Sequence, residues 1–285
     1  MSKLTDQLAA LGQSSGRFLG FGRSERARHN AAILLLGEVT HADAGSEIEK
    51  AAGLVDAFIL AAGAGAPVPP AEALEACKGT IWGVAGHSAA ADDLDALKGA
   101  GCDFLLVNDY DAPATVLRDD GMARGLTIRP GLSEESARAV EDLPFEFLVL
   151  EADVGSWPIS LASLMRLQAT VSMVSKHVLL KVRRLPAPDS LPLLRDMPIS
   201  GLLVDLSSVG RAALADARKA VEELEPRRPR QPAEQTQALI PPLAAGTSVG
   251  ADSGGDEDWD DNDDQARTQA RLRREAIRAD SRGLP

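Results

Sequence analysis

The sequence predicts a compact parallel (β/α)8 barrel of the TIM type, with an N-terminal lead-in helix and a disordered C-terminal tail. Three observations carry that prediction. Eight apolar runs of strand length recur between residues 32 and 206, at steps of roughly 21 to 31 residues, which marks a repeated supersecondary unit. The runs are continuously apolar rather than alternating, as in parallel strands buried on both faces. The stretches between them carry helix-start signals. Strand then helix, eight times over, is the pattern of a barrel. An open doubly wound sheet is the rival architecture, but no G-x-G-x-x-G follows the first run, so a dinucleotide cofactor is not expected.

The elements are justified in order. Leu4, Leu8 and Leu11 stand at i, i+4 and i+7, which predicts a short amphipathic helix that covers one end of the strand bundle. A glycine-punctuated linker with Arg23, Arg26 and Arg28 completes the lead-in, residues 1–30. The predicted strands are Ala32–Glu38, Ala57–Ala62, Thr80–Ala85, Asp103–Asn108, Leu126–Arg129, Phe145–Glu151, His177–Arg183 and Gly201–Leu206. Ser133, with Glu134 and Glu135 behind it, opens the helix after the fifth strand. Pro158 sits where a first-turn proline belongs, ahead of Leu164, Leu167, Val171 and Val174. Ser208 is the expected N-cap of a last helix over Arg211–Leu224. The barrel is thus expected over 31–225.

Beyond residue 225 the composition changes. The run Pro226-Arg227-Arg228-Pro229 cannot continue a helix. Residues 245–264 hold glycines and eight carboxylates and are expected to be disordered. A short helix with Arg267, Arg271, Arg274 and Arg278 on one face is expected over 264–280. The acidic run lacks the glycine and glutamate that an EF-hand loop needs at its sixth and twelfth positions. No metal is expected there, nor at His41 and His87, which follow separate strands without paired spacing.

Bulk properties exclude some functions. The formal net charge is −12. Residues 226–285 hold eleven acids and nine bases, so the excess of acid belongs to the barrel. Nucleic acid is therefore not an expected partner. The N-terminus lacks a continuous apolar h-region and no apolar run is long enough to span a bilayer. A cytoplasmic protein without a membrane partner is the expectation. Cys77 and Cys102, with no C-x-x-C spacing, read as small buried hydrophobes.

The functional reading starts from register. Alternate residues of a barrel strand face the lumen, and an unpaired charge directed at the apolar helix layer is costly. Lys181 and Arg183 should therefore face inward, with Val178, Leu180 and Val182 outward. The same rule turns Glu38, Asn108, Arg129, Glu151 and Asp205 inward at the C-terminal strand ends, where barrel active sites are built. Glu151, Lys181 and Asp205 lie on consecutive strands, about 5 Å apart. This environment suits a lysine that anchors charge more than one that forms a Schiff base. Glu38, Glu151 and Asp205 are candidate acid–base groups beside Lys181. The plainer reading is a closed salt-bridge network that fills the lumen.

The last strand runs out through Asp205-Leu206-Ser207-Ser208-Val209-Gly210-Arg211. Over these few residues the chain is similar in outline to the final unit of phosphate-binding barrels. That resemblance implies an anion cradle made by Ser207, Ser208, Gly210 and Arg211. The chain departs from that pattern in the preceding loop, Leu185-Pro186-Ala187-Pro188, which has no glycine. Arg129, Asn108 and Arg183 join the cradle as candidate ligand-binding residues. A small anionic metabolite is the expected partner, with cofactor-independent lyase or isomerase chemistry as the class of reaction. The alternative is a non-catalytic scaffold whose charged tail, residues 245–285, recruits a protein.

Overall fold

The computed structural model describes residues 2–11, 31–40, 44–61, 69–86, 91–118, 121–155 and 157–225. Eight parallel strands close on themselves in chain order. They are β1 (Leu34–Thr40), β2 (Ala57–Ala61), β3 (Trp82–Ala85), β4 (Phe104–Val107), β5 (Ala123–Ile128), β6 (Phe147–Glu151), β7 (His177–Val182) and β8 (Ile199–Asp205). The helices are α1 (Lys3–Ala10), α2 (Ala44–Ala51), α3 (Ala71–Ala76), α4 (Ala91–Gly99), α5 (Glu134–Asp142), α6 (Leu161–Val171), α7 (Leu191–Asp196) and α8 (Arg211–Glu222). The barrel expected from the repeat is the fold. The tail, with its expected disordered run, basic helix and partner-binding role, lies outside the described residues, as do the basic linker, His41 and His87. Among the described residues no helix is long and apolar enough to cross a membrane.

The apolar residues form two cores separated by the strand wall. Val178, Leu180 and Val182 of β7 pack outward with the helix layer. Leu179 packs inward with Leu36, Ile59, Leu106, Val149 and Leu203, so the inward register assigned from the lysine holds. Phe104 and Phe147 meet edge to face with ring centroids 5.6 Å apart. They fill space that Gly83 and Gly125 leave open, since a Cβ at either glycine would collide with the facing ring. A glycine inside a strand marks such a close approach.

Helix α1 closes the N-terminal end of the barrel. Its Leu4 and Leu8 are fully buried and belong to the lumen core. The Asp103 carboxylate, one residue before β4, accepts from Ser2 Oγ at 2.6 Å, Lys3 N at 2.8 Å and Leu4 N at 2.9 Å. An anion on the free N–H groups of a first turn is favourable both as hydrogen-bond acceptor and as partner of the helix dipole. Asp56 plays a related part before β2, accepting from Leu35 N at 2.8 Å and pairing with Arg218 at 2.7 Å.

Three local expectations are corrected. Pro158 is not in the first turn of α6 but three residues before it, and Ser160 caps the helix by accepting from Ser163 N. Gly210 occupies the N-cap of α8, because the Ser208 hydroxyl is turned back to the Asp205 carbonyl at 2.8 Å. The fourth outer helix is replaced by a 3-10 turn over Ala114–Leu117. The turn's short reach leaves a groove of about 500 Å³ against α5, lined by Val107, Tyr110, Leu126, Val140 and Leu143 among others. It also explains a buried cation that the charge rule did not foresee. Arg124 is only 3% exposed and points outward, where it donates to the carbonyls of Val116, Met122 and Arg118.

His177 opens β7 at the N-terminal end, with Nδ1 3.1 Å from Ser200 Oγ. Burial lowers its pKa below the ordinary value, so folding favours the neutral ring. Below a pH of about 6.5 the unfolded chain takes up a proton that the folded chain resists, and stability falls until the folded value is passed. Urea titrations between pH 7.5 and 5 should show that loss in the wild type and a reduced one in His177→Gln. An identical pH slope in the two proteins contradicts the assignment.

Candidate functional site

The lumen is a filled core up to its last layer, and above that layer it opens. A cavity of about 590 Å³ at the C-terminal end is lined by Glu38, Arg129, Glu151, Ala152, Asp153, Lys181, Val182, Arg183, Asp205 and Ser208. The alternation that buries Leu179 places Lys181 in the next inward layer, where the strand leaves the apolar core.

Lys181 Nζ stands 2.8 Å from Glu38 Oε2 and 3.0 Å from Glu38 Oε1. Glu151 Oε1 is 4.0 Å from the same ammonium, and Glu151 Oε2 is 4.0 Å from Arg129 Nε. Glu151 therefore lies within electrostatic reach of two cations but beyond hydrogen-bond distance of either. The exposures rank accordingly. The side chain of Glu38 is 13% exposed, that of Lys181 32%, and that of Glu151 48%. The pair Lys181–Glu38 forms the floor, and Glu151 stands above it in the opening.

Asp205 takes a different position from the one its strand suggests. In the β7–β8 ladder Lys181 stands opposite Leu203, not Asp205. The tilt of barrel strands puts inward residues of alternate strands into one layer. Lys181 of β7 accordingly meets Glu38 of β1, reaching past β8. The Asp205 carboxylate turns into its own loop, accepting from Ser207 N at 3.0 Å and Ser207 Oγ at 2.7 Å. This occupies the two Ser207 donors that the phosphate-barrel resemblance offered to a ligand. Arg211 is also engaged elsewhere, donating to the Lys50 carbonyl at the end of α2, at 2.6 Å. Ser208 lines the cavity, whereas Ser207, Gly210 and Arg211 do not. Asn108 is inward but lies outside the cavity lining, with its Oδ1 accepting from Thr127 Oγ1 at 2.6 Å.

Sequence reasoning missed Asp153. It follows Glu151 by two residues, so the strand's parity already placed it on the same side. Its Oδ1 accepts from Gly155 N at 3.1 Å, and it lines the cavity from the strand between those that carry the two arginines. The cysteines sit apart from the mouth, and burial pushes Cys102 up to about 12 and Cys77 up to about 11. Neither thiol is a nucleophile at neutral pH.

Comparison with known proteins bears on the fold. The chain is similar to the tryptophan synthase α-subunit of the hyperthermophile Pyrococcus furiosus. The TM-score is 0.52 at 16% identity, over 68% of this chain and 98% of that one. Two variants of the same subunit match with TM-scores of 0.51 at 17% identity and the same coverage. The chain folds as a TIM barrel. At this identity the likeness extends to architecture and no further. No family model matches the sequence, and no curated protein does.

Proposed function

We propose that the barrel binds a small anionic metabolite in the cavity at its C-terminal mouth. The observation that carries the reading is an open polar cavity at the strand ends above a filled apolar lumen. Barrel enzymes place their chemistry at that end. In this reading Arg129 and Arg183 anchor the anionic group, because both line the cavity with exposed guanidinium groups. Lys181 supplies fixed positive charge at the floor, and Glu38 holds its ammonium in place. Glu151 is the group free to exchange a proton with a bound substrate. A positioned carboxylate beside a fixed cation supports proton abstraction next to a carbonyl, the step common to cofactor-independent lyases and isomerases.

Thermal unfolding tests the binding claim. A panel of small carboxylates and inorganic phosphate at millimolar concentration should raise the wild-type melting temperature, because a ligand that binds only the folded state stabilises it. The double variant R129Q/R183Q should lose that rise while melting close to wild type without ligand. An equal rise in both proteins would place the anion elsewhere, and no rise in either defeats the reading.

A further inference from the structure

The cavity lining is not uniformly basic, and that constrains the ligand. Four carboxylates face it, from Glu38, Glu151, Asp153 and Asp205, against the three cations Arg129, Lys181 and Arg183. One of those cations is spent, since both oxygens of Glu38 close on Lys181 Nζ. Around the rim the remaining charges change sign from strand to strand. Arg129 follows β5, Glu151 and Asp153 come from β6, Arg183 follows β7, and Asp205 ends β8. Neighbouring strands are only about 4.8 Å apart. A ligand carrying anionic groups alone would meet the arginines and, one strand away, the β6 carboxylates. Like charges at that spacing repel.

We infer that the ligand of this mouth is an amino acid bearing a second acidic group, seated with its anionic groups on Arg129 and Arg183 and its ammonium on Glu151 and Asp153. This rests on the proposal that the mouth is a binding site, and it specifies the class of compound. Glu151 is the acceptor best placed for an ammonium. Its oxygens are 4.0 Å from both neighbouring cations, so among the described residues neither cation satisfies them at hydrogen-bond distance. Asp153 stands two residues further along the same side and keeps Oδ2 beyond its turn contact to Gly155 through Oδ1. An ammonium has three donors and can bridge two such carboxylates. The ligand's two anionic groups match the two exposed guanidinium groups that line the cavity.

The test uses matched pairs that differ by one ammonium, namely glutamate with glutarate and aspartate with succinate, and cadaverine as a dication. Each is titrated into the full-length protein by calorimetry at fixed ionic strength. At least one amino acid should bind fivefold or more tightly than its des-amino partner, and cadaverine should bind more weakly than either. In E151Q and D153N that preference should shrink to near unity, with the des-amino acids binding at least as tightly as they do to the wild type. If glutarate and succinate match or exceed their amino counterparts, the inference falls and the anion-binding reading stands. If the preference survives in both variants, the ammonium is seated elsewhere and the assignment falls. Tightest binding by cadaverine, or binding by none of the compounds, overturns both the inference and the anion-binding proposal.

Discussion

Replacing Leu8 with alanine should lower the free energy of unfolding by about 2–5 kcal/mol, the cost of emptying a fully enclosed leucine site. Leu8 comes from a helix of only eight residues, yet it is as buried as the strand residues it touches. A helix that short has little intrinsic stability. It is held by the apolar end of the lumen and by the Asp103 carboxylate on Ser2, Lys3 and Leu4. The two anchors act on one element, so their losses should couple. Asp103→Ala removes the cap from three donors at once, and it should make the further Leu8→Ala change cheaper than in the wild type. Urea melts of the two single variants and the double variant measure the coupling. An unfolding midpoint unmoved by Leu8→Ala would mean that the helix does not close the barrel. The effect should be confined to stability, since this face is the one opposite the mouth.

Much of this architecture was legible because a barrel imposes simple periods on its sequence. A strand buried on both faces must be apolar throughout, and eight such runs at similar spacing leave few alternative folds. The inward direction of Lys181 followed from one constraint, the cost of aiming a charge at the helix layer. The same constraint gave no account of Arg124, which lies ahead of the strand expected from Leu126 and faces the gap between β4 and β5, where no full helix forms. There the 3-10 turn presents backbone carbonyls that satisfy the guanidinium. With Arg124 and Gly125 breaking the apolar run, the fifth strand was expected from Leu126 and in fact begins at Ala123. The helix caps at Ser160 and Gly210 were misplaced by two or three residues, where side-chain direction decides and sequence spacing does not.

The mouth was legible as a set of residues but not as a set of contacts. Parity along each strand depends only on the local pleat, so it is visible in the sequence. Contacts across the lumen depend on the stagger between strands, which the sequence does not display. Counting neighbouring strands pairs Lys181 with Glu151 and Asp205. The β6–β7 ladder does set Glu151 opposite Lys181, 4.0 Å from its ammonium, but the stagger replaces Asp205 with Glu38, 143 residues away in the chain. Asp205 could have been recognised as a local cap, since an aspartate two residues before a serine commonly accepts from that serine's N–H.

Because Glu38 depends on one ammonium, Lys181→Met should cost about 1–3 kcal/mol of stability, the penalty for leaving a shielded carboxylate without its charged donor. Glu38 is only 13% exposed, so water cannot fully replace the lost contact. Methionine keeps most of the apolar stem, which separates the loss of charge from loss of packing. The second change, Glu38→Gln, removes the orphaned charge. K181M/E38Q should therefore recover most of what K181M loses, whereas E38Q alone should be milder, because a half-exposed lysine can turn toward Glu151 or solvent. The pair thus makes a double-mutant cycle whose sign is fixed in advance. A floor that serves only as a plug predicts that the double variant regains both its melting temperature and its response to small anions. A floor that supplies charge to the ligand predicts recovered melting with a weakened anion response. Additive losses in the cycle would show that the Lys181–Glu38 contact carries no coupling energy, and the floor would then have to be assigned to the apolar layer beneath it.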